Sequence, residues 1–289
     1  MKLISYSLFG YGRAKAANCF DFGSYLRGFM INVRLARLLY PDWKINIHLD
    51  KDTHKGFVHF WDNLQEIAII NIEQDAPLTK AMLWRMKPCF DNRVEAVICR
   101  DLDSPLTYRE VQAVTQWMDS PKVAHAITDS SSHTIPMLGG MVGFKQAHFK
   151  EYAGFATWED MVDGRGIDYN VKGADQDLLN KYVYPKFTKV GHDSIMQHYF
   201  LGMRNTFIDG YLTCDCRVND ETYHKEGCAL NIPLEIPQEY DITNHFCGHI
   251  GAAGWYEPPM FKFFYNHLDR FNDIRRIEEP IANELNWKI

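Results

Sequence analysis

Two aspartates near the middle of the chain, Asp101 and Asp103, have a type and spacing that can support chemistry. Carboxylates at positions i and i+2 can share one hard divalent cation and leave coordination positions open for phosphate oxygens. The pair follows an apolar run that starts at Val94, which predicts a buried strand of an α/β sheet. Open α/β sheets bind ligands at the carboxyl edge of their strands, so the pair is a candidate metal site.

The residues around this pair predict the elements that would hold it in place. Thr107 and Glu110 have the spacing of a capping box, and Val114 and Trp117 continue the apolar positions of a helix. Arg100, directly before the pair, is a candidate partner for a phosphate or a carboxylate. The sequence therefore predicts a strand, a loop with two carboxylates and a capped helix.

The same spacing of aspartates occurs at Asp50 and Asp52 and at Asp175 and Asp177. The first of these pairs also follows a predicted strand, but solvated loop carboxylates are the simpler interpretation of it. A nucleotide pocket needs two βα units before its metal loop, and the chain that precedes Asp101 is long enough to form them. The spacing alone does not select a site, because short motifs match by chance.

Strands alternate with helices along most of the chain, which predicts an α/β fold with a mostly parallel, doubly wound central sheet flanked by helices. Strands are predicted at residues 2–8, 44–49, 67–72, 94–99 and 123–128, with a strand or turn at 136–144. Helices are predicted at residues 24–39, 55–64, 80–88, 107–118, 174–184, 261–268 and 273–285.

The composition limits the classes of protein to be considered. The chain has 289 residues and 46% hydrophobic residues, enough to bury a substantial core. A net charge of −6 gives no overall attraction to nucleic acid or to a membrane surface. No apolar run approaches the ~20 residues of a membrane span, and the start of the chain is expected to be a strand and not a signal peptide. The seven cysteines are expected to be mainly reduced thiols, as in a cytoplasmic protein.

Two segments resemble a group of bacterial and viral glycosyltransferases of the GT-A fold. CRDLDS at 99–104, followed by Arg109-Glu110 and Trp117, resembles the pattern RD-x-DS, RE and AV-x-W of that group. Residues 129–143, with His133 and MLGGMVG, resemble its pattern RD-x-x-x-H and GGMWG. The match departs from the pattern at Ser130, where histidine is usual, and at Val142, where tryptophan is usual.

Two later segments resemble the glycogenin and lipopolysaccharide galactosyltransferase family. GADQDLLN at 173–180 is similar to the Asp-Gln-Asp segment of that family, and His245 begins a match to its His-x-x-Gly. The Lys-Pro-Trp that usually follows is missing here, and His249 is a rival for the role of His245.

These resemblances imply a metal-dependent glycosyltransferase with a GT-A catalytic core at 1–204 and a C-terminal extension at 205–289 that completes the same domain. The implied cofactor is Mn²⁺ or Mg²⁺, and the implied donor is a nucleotide sugar, expected to be UDP-linked. The Asp-Gln-Asp segment favours retention of configuration at the anomeric carbon. The implied acceptor is a glycan, a lipid-linked sugar or a surface polysaccharide, and related viral enzymes add modified DNA.

The resemblance also implies a role for individual residues. Asp101, Asp103 and His245 would hold the metal. Asp175 and Gln176 would lie beside the donor sugar, where Asp175 accepts hydroxyl hydrogen bonds and Gln176 stabilises positive charge at the anomeric carbon. Two residues of the polar loop, Asp129 and His133, would meet the acceptor or the donor sugar, and one of them could be a base. The residues expected to contact the nucleotide or the donor sugar are Ser7, Phe9, Gly10, Arg85, Arg100, Gly139 and Gly140.

Other interpretations of the same residues stay open. The paired carboxylates also fit a nucleotidyltransferase or phosphohydrolase, although these leave the Gly-Gly and Asp-Gln-Asp segments unexplained. A non-catalytic module that binds sugar nucleotides is a third possibility. Cys214, Cys216, His224 and Cys228 lie within 15 residues of one another and are candidate ligands of a structural zinc, although their spacing is unusual for one. The sequence does not indicate an oligomeric state.

Overall fold

A computed structural model describes residues 1–12, 22–128, 135–188, 194–199, 204–208, 211–215 and 272–285. Its strands are β1 (Lys2–Leu8), β2 (Trp43–Asp50), β3 (Ala68–Glu73), β4 (Ala96–Arg100), β5 (Ala124–Thr128), β6 (Met141–Lys145), β7 (Ile195–Tyr199), β8 (Arg204–Ile208) and β9 (Tyr211–Asp215). The first helices are α1 (Phe22–Leu39), α2 (Lys51–Gly56), α3 (Val58–Leu64), α4 (Leu78–Met82) and the 3₁₀ helix Leu83–Phe90. Those that follow are α5 (Tyr108–Asp119), α6 (Gln146–Ala153), α7 (Trp158–Val162), α8 (Ala174–Leu178), the π-helix Leu179–Val183, α9 (Tyr184–Phe187) and α10 (Asn272–Glu284).

The central sheet has seven strands in the order β3-β2-β1-β4-β6-β5-β7, and β8 pairs with β9 separately. The four strands β3, β2, β1 and β4 lie side by side and are all parallel, and β5 is parallel to β7. β6 runs antiparallel to both β4 and β5. The predicted α/β fold with a mostly parallel sheet is therefore confirmed.

The order of the strands reverses between β1 and β4. The chain moves outward from β1 through β2 to β3 and then returns to place β4 on the other side of β1. The loops that leave the carboxyl ends of β1 and β4 therefore diverge at one edge of the sheet and open a crevice between them. The loop at residues 101–107, which carries Asp101 and Asp103, starts at this crevice, and we refer to it as the predicted metal loop.

Both faces of the sheet are covered by helices. The side chains of β4 alternate between two cores, because neighbouring residues of a strand point to opposite faces. Ala96 and Ile98 pack in a core with α1, α3, α5 and α10, whereas Val97 and Cys99 pack in a core with the 83–90 helix and α6 to α8. All five residues of β4 are buried, as predicted for a central strand.

Several predicted helices are divided in the structure. The helix expected at 55–64 is two helices, α2 and α3, because the main chain leaves helical geometry at Phe57 (φ −144°, ψ 46°). Asp50 caps the start of α2, where its carboxylate accepts from the Thr53 amide (2.6 Å). The helix expected at 80–88 changes to 3₁₀ geometry at Leu83 and passes through Pro88. The helix expected at 174–184 contains a π-helical turn after Leu178.

Other parts of the fold were not predicted or lie outside the described residues. The sequence analysis did not predict β7, β8, β9, α6 or α7. The strand β7 has the sequence IMQHY, whose mixture of polar and apolar residues gives no clear period. The helix expected at 261–268 is outside the described residues. In the part of the chain that the structure describes, every helix is too short or too polar to traverse a lipid bilayer.

Two buried histidines link β5, β7 and α5. His125 Nε2 and His198 Nδ1 are 2.8 Å apart, and His198 Nε2 lies 3.1 Å from Gln116 Oε1. The His125 ring stacks on Trp117, with an angle of 14° between the ring planes. Burial lowers the pKa of His125 and lowers the pKa of His198 to about 4. Both rings are therefore held neutral in the folded protein.

This pair predicts a loss of stability in mild acid. The unfolded chain protonates these histidines below about pH 6.5, whereas the folded protein resists protonation of His198 down to about pH 4. Above pH 6.5 the two histidines do not reduce the free energy of unfolding. Between about pH 6.5 and pH 4 we expect this free energy to fall by up to about 1.4 kcal/mol per pH unit for each histidine as the pH decreases. Urea denaturation between pH 7.5 and 4.5 would measure the slope.

The His198→Gln variant should show a shallower dependence of the free energy of unfolding on pH than the original protein. His148→Gln is the matched control, because the side chain of His148 is 59% exposed on α6. An unchanged slope in His198→Gln would contradict this explanation.

Candidate functional site

The two predicted metal-binding carboxylates lie in the loop that follows β4. Asp101 accepts a hydrogen bond from Arg85 Nη1, and its side chain is 41% exposed. Asp103 is half-buried, and its pKa is raised to about 6 by burial and then by the negative charge of Asp101. The two carboxylates repel each other at neutral pH, and their oxygens are the donor set of a hard divalent cation. The residues present therefore fit Mn²⁺ or Mg²⁺.

Arg85 connects the Asp101 loop to the segment of Asp175. Its buried guanidinium binds Asp101 through Nη1, and its Nη2 lies 3.9 Å from Asp175 Oδ2. Burial raises the pKa of Asp175, Asp101 raises it further, and Arg85 opposes the rise. Arg85 Nε is buried without a hydrogen-bond partner among the described residues. Three residues that are far apart in the sequence therefore form one charged cluster, with two carboxylates and one guanidinium.

Gly139 and Gly140 bring the main chain against this cluster. A Cβ atom at Gly139 would lie 2.5 Å from Arg85 Nη2 and 3.1 Å from Asp175 Oδ2. A Cβ atom at Gly140 would overlap the carboxylate of Asp101. A side chain at position 139 would therefore displace the Arg85 guanidinium, and one at position 140 would displace the Asp101 carboxylate, which gives the Gly-Gly of the sequence pattern a physical reason.

Asn180 holds the Gly-Gly segment against the helix of Asp175. Its Oδ1 accepts from the Met137 amide (2.9 Å), and its Nδ2 donates to the Met137 carbonyl (2.9 Å) and to the Gln176 carbonyl (2.7 Å). Gln176 itself is half-buried at the residue after Asp175. Asn180 was not predicted to be a site residue, because nothing in the sequence distinguishes it from other residues of the helix predicted at 174–184.

Phe9 and Gly10, two of the residues expected to contact the nucleotide or the donor sugar, line a pocket at the carboxyl ends of β1, β2 and β3. The rings of Phe9 and Trp84 meet edge to face with their centroids 5.8 Å apart. Trp84 directly precedes Arg85 in the 83–90 helix. The other residues that line this pocket are Gly12, Asp50, Asp52, Asp75, Ala76 and Ala81.

Asp50 has a structural role that the sequence analysis did not predict. The amide of Gly10, which has φ of +90°, donates to Asp50 Oδ2 at 2.6 Å. The other oxygen of Asp50 caps α2. The interpretation of Asp50 as a solvated loop carboxylate is therefore wrong, because both of its oxygens hold backbone amides at the pocket.

Arg100 and Ser7 face the interior of the fold and do not line the pocket. Arg100 is 1% exposed and donates from Nε to Glu110 (2.7 Å) and from Nη1 to the carbonyls of Cys99 (2.7 Å) and Val142 (3.0 Å). Its guanidinium is directed into the core, where the carboxylate of Glu110 is its charged partner. The carboxylate alternative of the prediction is therefore confirmed, and the role as a contact of the nucleotide phosphate is corrected. Ser7 Oγ accepts from the Arg85 amide at 3.1 Å, so Ser7 supports Arg85 and is not part of the pocket lining.

Several predicted site residues lie outside the described residues. These are Asp129, His133 and His245, together with the zinc candidates Cys216, His224 and Cys228. Cys214 lies in β9. Within the described ranges, no group of three or more histidine, cysteine or acidic side chains is arranged to hold a metal. Asp101 and Asp103 are two carboxylates and do not by themselves form such a group.

Substitution of Gly140 tests the close approach of the main chain to Asp101. Gly140→Ala should displace the Asp101 carboxylate and weaken Mn²⁺ binding by at least about tenfold, or ~1.4 kcal/mol. Gly139→Ala should disturb Arg85 and Asp175 first and should affect Mn²⁺ less. Isothermal titration with Mn²⁺ measures both, and circular dichroism checks that each variant folds. Equal Mn²⁺ affinity in Gly140→Ala and the original protein would contradict the placement of Gly140.

No protein-family model and no curated protein matches this chain. Partial structural likeness is found to the mannosyltransferase PcManGT from Pyrobaculum calidifontis, solved with GDP-Man and Mn²⁺, at 10% identity over 63% of this chain and 51% of that chain (TM-score 0.40). TarS 1–349 from S. aureus matches at 11% identity over 70% and 61% of the two chains (TM-score 0.43).

A third partial likeness is to 4-diphosphocytidyl-2C-methyl-D-erythritol synthase from Anaerococcus prevotii, at 12% identity over 69% and 86% of the two chains (TM-score 0.40). This chain spans about half the length of the mannosyltransferase. At these identities and scores the likenesses carry no argument for a reaction, and the function depends on the site residues.

Proposed function

We propose that this chain is a metal-dependent glycosyltransferase of the GT-A type, which moves a sugar from a nucleotide-sugar donor to an acceptor hydroxyl. One observation carries the proposal. Arg85, Gly140 and the two carboxylates Asp101 and Asp175 are in contact or within a few ångströms at the crevice between β1 and β4. The described parts of three segments that resemble glycosyltransferases separately in the sequence, at Asp101, Gly139-Gly140 and Asp175, thus meet at one place in the fold.

The metal-binding part of the site consists of Asp101 and Asp103, with His245 as the proposed third ligand. Asp103 and Asp101 present oxygen ligands, and Asp101 is also positioned by Arg85. A bound Mn²⁺ or Mg²⁺ would neutralise the donor diphosphate and stabilise the nucleotide leaving group.

The donor nucleoside is proposed to occupy the pocket lined by Phe9, Gly10 and Trp84. Asp52 and Asp75 also line this pocket and are exposed, so they can accept hydrogen bonds from ribose hydroxyls or from N–H groups of a base. A UDP-linked donor is the first candidate from the sequence resemblance. The diphosphate would then extend from the pocket toward Asp101 and Asp103.

Asp175 and Gln176 are proposed to face the donor sugar. Asp175 is buried beside Arg85 and accepts sugar hydroxyls, while Gln176 lies near the anomeric carbon and stabilises its developing positive charge. The resemblance of the Asp-Gln-Asp segment favours retention of configuration. Asp129 or His133 would be the base if the reaction inverts configuration.

The proposed acceptor is a hydroxyl of a glycan, a lipid-linked sugar or a surface polysaccharide. Modified DNA is the alternative acceptor, and the net charge of −6 gives no general attraction to it.

Replacement of the metal carboxylates is the direct test of this function. Asp101→Asn and Asp103→Asn should each reduce Mn²⁺-dependent turnover about a hundredfold or more, because several kcal/mol of charge stabilisation depend on the metal site. The assay measures release of nucleoside diphosphate from a panel of UDP, GDP and dTDP sugars. Asp177→Asn is the matched control, because Asp177 is exposed and pairs with Lys181 at 3.0 Å. Near-normal turnover in Asp101→Asn or Asp103→Asn would refute the metal assignment.

The products of the same assay separate the competing functions. A glycosyltransferase releases nucleoside diphosphate and transfers or hydrolyses the sugar. Pyrophosphate or nucleoside monophosphate as the product would indicate a nucleotidyltransferase or a phosphohydrolase instead. A binding module would release no product, although nucleotide sugars with Mn²⁺ would still raise its melting temperature.

The Asp175→Asn variant should keep Mn²⁺ affinity but lose donor turnover. Asp175 lies next to Arg85 and is proposed to bind the sugar and not the metal. We therefore expect turnover to fall by about tenfold or more, which is the range for one lost charged hydrogen bond at a reacting group. Loss of Mn²⁺ binding in this variant would place Asp175 among the metal ligands and contradict the proposed division of roles.

A further inference from the structure

We propose that Asn32 on α1 is a positioning residue that fixes the metal loop on both sides of Asp103. This inference rests on the proposed function, since it assumes that Asp101 and Asp103 hold the metal. Asn32 is fully buried, and its neighbours in sequence on α1, Ile31 and Val33, belong to the apolar core. A buried amide in an apolar helix is unfavourable unless its hydrogen bonds are made.

All of the described hydrogen bonds of the Asn32 side chain go to the metal loop. Nδ2 donates to the carbonyls of Leu102 (3.3 Å) and Ser104 (3.2 Å). Oδ1 accepts from the amide of Leu106 at 2.9 Å. These backbone groups are about 70 residues away in the chain, so the amide joins α1 to the loop and not to its own helix.

The two aspartates of the loop therefore have different anchors. Asp101 is held through its carboxylate by Arg85. Asp103 lies between Leu102 and Ser104, whose carbonyls Asn32 binds. Asn32 thus fixes the backbone on each side of Asp103, and Arg85 fixes the side chain of Asp101.

Asparagine is the residue type that this contact requires. Its amide presents donors to two carbonyls and an acceptor to one N–H, all from one planar group. Aspartate in its place would bring carboxylate oxygen against the Leu102 and Ser104 carbonyls. Alanine would leave both carbonyls and the Leu106 amide without their buried partner.

A matched control exists on another part of the same helix. Arg34 forms a buried ion pair with Glu278 of α10, and the two side chains are 4% and 9% exposed. Glu278→Gln would remove one charge of this pair and lower stability, but Glu278 has no described contact with the loop of Asp103. It therefore separates general destabilisation of α1 from loss of the loop contact.

The experiment measures Mn²⁺ binding to the full-length chain without a nucleotide sugar. Free Mn²⁺ is counted by electron paramagnetic resonance in wild-type protein, Asn32→Asp, Asn32→Ala and Glu278→Gln, at a temperature where all are folded. Loss of a residue that orients metal ligands typically weakens affinity about 10- to 100-fold. We expect this loss in both Asn32 variants, and a Glu278→Gln affinity within about twofold of wild type despite its lower melting temperature.

The outcomes separate this inference from the proposed function. Wild-type Mn²⁺ affinity in the Asn32 variants, or an equal loss in Glu278→Gln, would overturn the role of Asn32 and leave the metal site intact. Failure of the wild-type protein itself to bind Mn²⁺ would overturn the proposed function and, with it, this inference. If the Asn32 variants do not fold, hydrogen exchange of the wild-type Leu106 amide provides the measurement. Slow exchange is expected, and fast exchange would overturn the contact.

Discussion

The site depends on one buried positive charge. A guanidinium that is removed from water needs carboxylates and carbonyls around it, because an unpaired buried charge costs several kcal/mol. Arg85 meets this need with Asp101, with the Arg100 carbonyl at 3.2 Å and, more distantly, with Asp175. Its own amide binds Ser7 at the end of β1. A single residue, Arg85 of the 83–90 helix, thus contacts the end of β1, the end of β4 and α8.

Arg100 shows how a neighbouring arginine can serve the fold alone. Residues of β4 alternate between the two faces of the sheet, and Arg100 follows Ala96 and Ile98 onto the face covered by α1 and α5. There Glu110 accepts from Arg100 and from the hydroxyl of Tyr40 at 3.2 Å. The pair joins the end of β4 to the start of α5, the two elements that flank the loop of Asp101 and Asp103. Arg100 therefore holds the two ends of this loop together from within the core, whereas Arg85 binds the carboxylate of Asp101 in the loop.

Local features of this fold were predictable from sequence, and distant contacts were not. The strand β4 and the cap of α5 follow from an apolar run and from a Thr-x-x-Glu spacing, and the Thr107 hydroxyl does accept from the Glu110 amide at 3.0 Å. Asn32 and Asn180 could not be identified in this way, because their partners are backbone groups about 70 and 43 residues away. One signal was present for Asn32, a polar amide within an apolar helical face, but it names no partner.

The close approach of the main chain at Gly139 and Gly140 limits which substitutions the charged cluster can accept. Neither position has room for a side chain, and Arg85, Asp101 and Asp175 constrain one another by charge. A substitution at any of these five positions would therefore require its neighbours to move or would leave a buried charge without its partner. The exposed aspartates of the pocket, Asp52 and Asp75, can change at little cost to packing. Substitutions are therefore accommodated more readily at the pocket lined by Phe9, Gly10 and Trp84 than at the charged cluster.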